Sequence, residues 1–208
     1  QSINSTVSFL TFRTNHRIKF QMALDRNKID FITTQYREDI VSFHPGLSYI
    51  YKKNIKKNRY KKGNILKLHV GYMIYNKIYH NHVTLQFNNQ TFIPLNKSDT
   101  SGRIVFKNKL YLNFSNNIPI YQKKYINTEN YVRGYETNPE LNPIEIRDRL
   151  QWNNLISSTL QLELPFFAKK NFFTELLFFI DYGIGSNKYN DFKLKNKLRG
   201  HGFGLRYN

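Results

Sequence analysis

Leu66-Lys67-Leu68-His69-Val70-Gly71-Tyr72-Met73-Ile74 alternates without a break: Leu66, Leu68, Val70, Tyr72 and Ile74 share one side of an extended chain, and Lys67, His69, Gly71 and Met73 share the other. A period of two is the spacing of a strand with one apolar and one hydrophilic face. The pattern returns in Val83, Leu85 and Phe87 against Thr84, Gln86 and Asn88. It returns again in Ile156, Leu160, Leu162 and Leu164 against Ser157, Thr159, Gln161 and Glu163. Further strands are expected at Val7 to Arg13, Ile18 to Leu24, Ile40 to Tyr51, Ile104 to Phe114, Phe173 to Tyr182 and Leu198 to Tyr207. Asn76-Lys77, Asn96-Lys97-Ser98-Asp99 and the stretch from Gly185 to Asn190 punctuate them as turns or loops. No helix-period stripe persists, so a doubly wound α/β fold is excluded and an antiparallel meander is the simplest topology.

The strand lengths bear on the environment. Several exceed the roughly 5 to 6 residues usual in globular sheets and match the roughly 9 to 11 that a tilted strand needs to cross a bilayer. Aromatic residues near strand ends (Tyr49, Tyr51, Tyr75, Phe114, Tyr182, Tyr207) stand where an interfacial girdle would lie. Alternation alone also fits a soluble barrel or sandwich whose apolar face packs inward, and length and aromatics favour the membrane. The longest apolar run, Leu176 to Ile180, is far too short for a spanning helix, so a crossing here is made by strands.

Composition narrows the chemistry. Phe and Tyr are abundant (17 and 15), in keeping with strands, and Cys is absent, which removes disulfides, zinc fingers and thiol catalysis. The formal net charge of +18 invites nucleic acid or an anionic surface as partner. AT-rich coding, which favours Asn, Lys, Ile, Tyr and Phe, explains the same balance without a ligand. Seven of the eleven residues from Lys52 to Lys62 are basic, but only Tyr60 interleaves them and no nucleic-acid module surrounds them; a solvated hairpin loop is the better reading. His80 and His82 are too few for a metal site, and the glycines from Gly200 to Gly204 lack the strand-turn-helix setting of a phosphate loop. No nucleophile elbow or paired-carboxylate spacing occurs. No enzyme, cofactor, metal or nucleic-acid partner is therefore expected.

Between Phe114 and Trp152 alternation stops for almost forty residues, far beyond a typical connection of about 4 to 6. This segment contains Tyr131-Val132-Arg133-Gly134-Tyr135-Glu136. Leu160-Gln161-Leu162-Glu163-Leu164-Pro165-Phe166, Phe179-Ile180-Asp181-Tyr182-Gly183 and Gly202-Phe203-Gly204-Leu205-Arg206-Tyr207 follow in order. Upstream lie Pro45-Gly46-Leu47-Ser48-Tyr49-Ile50-Tyr51 and Lys62-Gly63-Asn64-Ile65-Leu66. Together these resemble the Val-Arg-Gly-Phe/Tyr motif of the sixth extracellular loop and the flanking strand motifs of the BamA, TamA and two-partner-secretion transporter superfamily of outer-membrane barrels (bacterial surface antigen family).

The resemblance, carried by about residues 40 to 208, implies an all-β antiparallel transmembrane β-barrel with a long loop folded into its lumen. Some nine or ten strands of a sixteen-stranded barrel are represented, and residues 1–208 form its carboxy-terminal portion with the POTRA domains absent from this chain. It implies insertion of outer-membrane proteins or translocation of polypeptides without covalent chemistry, in a bacterial or organellar outer membrane, bacterial being favoured. Its partners would be membrane lipids, client outer-membrane or secreted polypeptides, and accessory assembly subunits. A passive porin and a soluble basic β-protein that binds nucleic acid are the alternatives. The resemblance makes Val132, Arg133, Gly134, Tyr135 and Glu136 the functional loop motif, with Arg133 against Asp181 as the leading pair. The strand parity puts Glu163, Asp181 and Arg206 together on the face opposite the aliphatic one. Gly183, Gly202 and Gly204 either leave room for the loop tip or mark bends in the strands. Arg133→Ala is expected to matter far more than Arg59→Ala.

Overall fold

A computed structural model of the chain describes residues 2–13, 15–31, 36–53, 62–76, 79–95, 102–115, 117–119, 122–125, 131–133, 150–169 and 172–207; the side chains of 2–13, 27–31, 36–39, 125, 167–169, 172–173 and 195 lie outside the description. The first six strands are β1 (Ser2–Arg13), β2 (His16–Phe31), β3 (Tyr36–Lys53), β4 (Gly63–Tyr75), β5 (His82–Pro94) and β6 (Arg103–Asn113). Two short strands follow, β7 (Lys124–Tyr125) and β8 (Gln151–Trp152), and then β9 (Asn154–Lys169), β10 (Phe172–Ser186) and β11 (Lys197–Tyr207). Nine of them pair antiparallel in the order β1-β2-β3-β4-β5-β6-β9-β10-β11. Sequence neighbours are sheet neighbours throughout except between β6 and β9, where the long loop and its β7–β8 ribbon intervene.

The register tells which face is which. Val70 opposes Leu85, Leu85 opposes Leu112, Leu110 opposes Ile156, and Leu160 opposes Ile180, so the aliphatic positions of five strands line one continuous surface. That surface is exposed: Val70, Tyr72, Val83, Phe106, Ile156, Leu160, Phe178 and Ile180 all project outward. The opposite face is polar and buried, with Ser42, Thr84, Arg103, Asn113, Gln161, Glu163, Glu175 and Asp181 shielded. A soluble sandwich has the reverse arrangement, since burying polar groups costs free energy and exposing apolar area forgoes about 25 cal/mol per Å². The chain is thus an outward-apolar antiparallel barrel wall, and its strands, 11 to 18 residues long, cross a bilayer with residues to spare.

Most strands run past their sequence-predicted ends. β2, for example, continues through Asp25, Arg26, Asn27 and Lys28, which are polar on both faces and carry no alternation, yet stay paired with Ser42 to Asp39 of β3. One aromatic assignment changes. Tyr75 is not part of an interfacial girdle: it has the parity of Gly71 and Met73, is buried on the inner face, and donates its hydroxyl to Gln122 Oε1 at 2.5 Å. The loop Asn96-Lys97-Ser98-Asp99 and most of the basic segment from Lys52 to Lys62 lie outside the described residues.

Candidate functional site

The described residues of the segment between β6 and β9 include several that pack against the inner wall. Val132, fully buried, packs with Tyr111 of β6 and Leu155 of β9, and Tyr131, Leu150, Trp152 and Leu198 surround that cluster. Two loop–wall ring contacts extend it: Lys124 Nζ sits 5.1 Å from the Tyr111 ring centroid, and Lys109 Nζ of β6 sits 5.6 Å from that of Tyr131. Burial, with Tyr111 beside it, pushes the Tyr131 phenol up to about 12, and burial lowers the Lys124 ammonium from its ordinary value. The loop thus has a hydrophobic seat of its own, independent of any ion pair.

On this seat Arg133 is held by three residues. Its Nε and Nη2 donate to the two carboxylate oxygens of Asp181 at 2.8 and 2.9 Å, and its backbone N–H donates to the same carboxylate at 3.0 Å. Nη1 donates to Gln161 Oε1 at 3.0 Å, and the guanidinium carbon lies 3.5 Å above the Phe179 ring centroid. A planar fork facing a carboxylate and stacked on an aromatic face is what arginine provides and lysine cannot. The strand register explains the convergence: Asp181 pairs with Thr159 and Gly200, Phe179 with Gln161 and Gly202, so the side chains rise from adjacent inner positions of β9 and β10 beside two bare positions of β11.

Glycine makes the approach possible. A Cβ at Gly200 would overlap the Arg133 carbonyl oxygen, and one at Gly202 would press on the Phe179 ring that supports the guanidinium. Gly204 has open space around it, and Gly183 lies two residues from Asp181, paired with Ser157 and Leu198. The room for the loop is therefore made at Gly200 and at Gly185, where a Cβ would overlap the Trp152 ring, and sequence reasoning singled out neither for this purpose. Gly200→Val is expected to destabilise the docked loop by about 3 kcal/mol, the upper end of overpacking costs, because a backbone carbonyl has little freedom to retreat. Limited proteolysis should then cleave between residues 126 and 150 far faster than in the wild type, while Gly204→Ala should leave the rate unchanged.

Glu163 and Arg206 come together as well, but in a second cluster. Glu163 accepts from Arg103 Nε and, at 3.3 and 3.0 Å, from Nη1 and Nη2 of Arg206; Arg206 also pairs with Glu175. Gln161 joins the two clusters, accepting from Arg133 and donating Nε2 to Glu163 at 2.6 Å. Three guanidiniums (Arg103, Arg133, Arg206) thus face three carboxylates (Glu163, Glu175, Asp181), a neutral set within a cationic chain. Gly134, Tyr135 and Glu136 of the motif lie outside the described residues. Arg103, Gln161, Glu175 and Phe179 were not anticipated. Their signal was parity: Arg103 shares the face of Val105, and Glu175 and Phe179 share that of Asp181.

Among the described residues no group of three or more His, Cys, Asp or Glu side chains is arranged to hold a metal ion. A family model described as the Omp85 superfamily domain matches residues 1–208. No curated protein matches. Among solved structures the chain is similar to the crystal structure of BamA from Haemophilus ducreyi lacking POTRA domains 1-3, with a TM-score of 0.65 at 15% identity over 88% of this chain. The match covers 41% of that BamA chain, so this chain spans about two fifths of its length. At that identity the likeness concerns the fold.

Proposed function

Since this chain belongs to the Omp85 superfamily, we propose that it is the carboxy-terminal portion of an outer-membrane barrel that inserts other outer-membrane proteins or moves polypeptides across that membrane, without covalent chemistry. POTRA domains would belong to the part of the protein outside this chain, and a bacterial outer membrane is the favoured setting. The observation that carries the reading is the Arg133 clamp: a loop arginine carried inside the wall and bound to Asp181 by three hydrogen bonds. A passive pore has no evident need of such an anchor. A barrel that must open and reclose around a client does, because a fixed lumenal loop keeps the wall in one conformation while an edge is exchanged.

The work on a client follows from backbone chemistry. An exposed strand edge offers unpaired N–H and C=O groups, and an incoming strand that pairs with it gains hydrogen bonds before it leaves the bilayer surface. The barrel supplies that template, and Val132, Arg133 and their motif neighbours act by holding the loop. Client polypeptides and accessory assembly subunits are the partners this scheme needs.

The test is reconstitution of the full-length protein into phospholipid vesicles, followed by addition of an unfolded outer-membrane protein kept soluble by a chaperone. Protease-protected client should accumulate well above empty vesicles. Ion conductance with client insertion at the empty-vesicle level would favour a passive pore and overturn the proposal.

A further inference from the structure

Every Lys and Arg of β4 and β6 stands on the inward face, and in register with β2 they form a row. Arg17 of β2 opposes Ile50 of β3, Ile50 opposes Lys67 of β4, Lys67 opposes Asn88 of β5, and Asn88 opposes Lys109 of β6. A cation therefore recurs on every second strand along one line of the ladder, at intervals of about 10 Å. Lys107 stands two residues before Lys109 on the same face, opposite Gln90 of β5 and Thr159 of β9.

The row lacks counter-charge. Among the described residues Arg17, Lys67 and Lys107 make no ion pair, and Lys109 lies over the Tyr131 ring. Where side chains are described, the carboxylate on the inward face of β2 to β6 is Asp25, which sits beside His44 and about 26 Å along β2 from Arg17. Glu163, Glu175 and Asp181 are taken up by Arg103, Arg133 and Arg206. The extent of the chain does not create the excess. A strand joining the sheet beyond β1 or β11 would stand at least four strand spacings from Lys67, Lys107 and Lys109, about 19 Å along the wall, against a screening length of about 8 Å. Like charges gathered on one face repel, and an anion drawn between them relieves that repulsion.

We propose that this row is an anion path: Arg17, Lys67, Lys107 and Lys109 bind small hydrated anions in turn and make the lumen selective for anions over cations. Barrel strands tilt by about 35 to 45°, so a row that runs straight across the ladder descends along the lumen instead of circling it. Cationic side chains lining a pore select anions, and conduction needs several sites that each hold the ion weakly. Lysine suits that need, being a strongly hydrated point charge on a flexible stem where arginine would grip with a rigid fork. Asn88 and Gln90 alternate with the lysines across β5, and each carboxamide can turn an N–H towards the same anion. The division of labour on the inner wall is then plain: the arginines of β6, the loop and β11 are spent on carboxylates, and the lysines of β4 and β6 are left to the solution. The path rests on the barrel reading of the strands and on nothing about clients.

In the test, the full-length protein is placed in a planar phosphatidylcholine bilayer under a KCl gradient, and the permeability of chloride relative to potassium is read from the reversal potential. In dilute salt chloride should be favoured by roughly tenfold, the lower end of the enrichment that a charge-lined cleft produces. Near 1 M salt, where the screening length falls to about 3 Å, the preference should largely vanish. Lys67→Gln, Lys107→Gln and Lys109→Gln combined should bring the ratio to about one while leaving the heat-modifiable mobility of the folded barrel unchanged, and the same three positions changed to Arg should keep the preference for chloride. Lys188→Gln, Lys193→Gln and Lys197→Gln combined, which remove equal charge from the β10–β11 connection and the start of β11, should not alter the ratio. A wild type that prefers potassium, shows no preference or carries no current, or a preference that survives the lumenal triple substitution, would overturn the path. Client insertion measured in parallel keeps the two readings apart: a barrel that inserts clients and conducts without preference overturns the path alone, and an anion-selective barrel that inserts nothing overturns the proposed function alone.

Discussion

Arg133→Ala is expected to free the loop from the barrel wall and to cost about 3 to 5 kcal/mol, the range found when one member of a buried ion pair is removed. The reasoning starts from Asp181, which is fully buried and takes three of its hydrogen bonds from Arg133. Truncation leaves only the backbone N–H and the Thr159 hydroxyl facing a carboxylate shielded from water, with no counter-charge, and it also removes the Gln161 contact and the stack on Phe179. Arg133→Lys should recover little, because one ammonium cannot satisfy both carboxylate oxygens and lie flat on the ring. Adding Asp181→Ala to Arg133→Ala should return part of the loss, since the stranded charge is then gone, and the double-mutant cycle should show coupling of about 2 to 3 kcal/mol. Lys193→Ala is the control: its pair with Asp191 is half exposed, and such pairs are worth roughly 0 to 1 kcal/mol. The measurements are urea midpoints in lipid vesicles and protease cleavage within residues 126–150. Coupling near zero would mean that Tyr131, Val132 and Trp152 hold the loop by themselves.

How much of this was legible beforehand follows from where alternation is informative. Leu66 to Ile74 and Ile156 to Leu164 announce strands because each has one apolar and one polar face, and all nine strands of the sheet lie where strands were expected. Leu176 to Ile180 is apolar on both faces, so only its parity with Asp181, two residues on, marks Phe179 as inward among its outward neighbours Phe178 and Ile180, and the ring under Arg133 was missed. β7 and β8, two residues each, are too short for any period to register. The polar extensions of β2 and β3 pair through their backbones, which leave no mark on side-chain type. Arg103 was passed over for a different reason: it begins β6 directly after a turn, where a basic residue ordinarily means solvent, and only the pairing of Arg103 with Glu163 turns it inward. For the candidate site, parity brought Glu163, Asp181 and Arg206 to one face but said nothing of which carboxylate each arginine would take; that depends on the loop's seat, which is a tertiary matter.

The division into two clusters leads to the other large expected effect. Glu163→Gln preserves shape and removes the carboxylate that, among the described residues, Arg103 and Arg206 share. Two guanidiniums would then have Glu175 alone, with Lys107 on the same face of β6, and the new amide would turn a donor towards donors. A loss of about 3 to 5 kcal/mol is expected on the same grounds as for Arg133. Glu175→Gln should cost less, because Arg206 keeps Glu163 and is itself about one-third exposed. Adding Arg103→Met to Glu163→Gln should restore part of the stability, leaving Arg206 with Glu175 as a balanced pair. What separates Glu163→Gln from Arg133→Ala is the loop. Glu163 joins three strands through Arg103 of β6, its own place in β9 and Arg206 of β11, whereas Arg133 touches Asp181 and Gln161 without it. The urea midpoint should therefore fall in Glu163→Gln while protease cleavage of the loop in the folded barrel stays near the wild-type rate. If cleavage accelerates in step with the fall in stability, Gln161 couples the two clusters into one unit, and wall and loop open together.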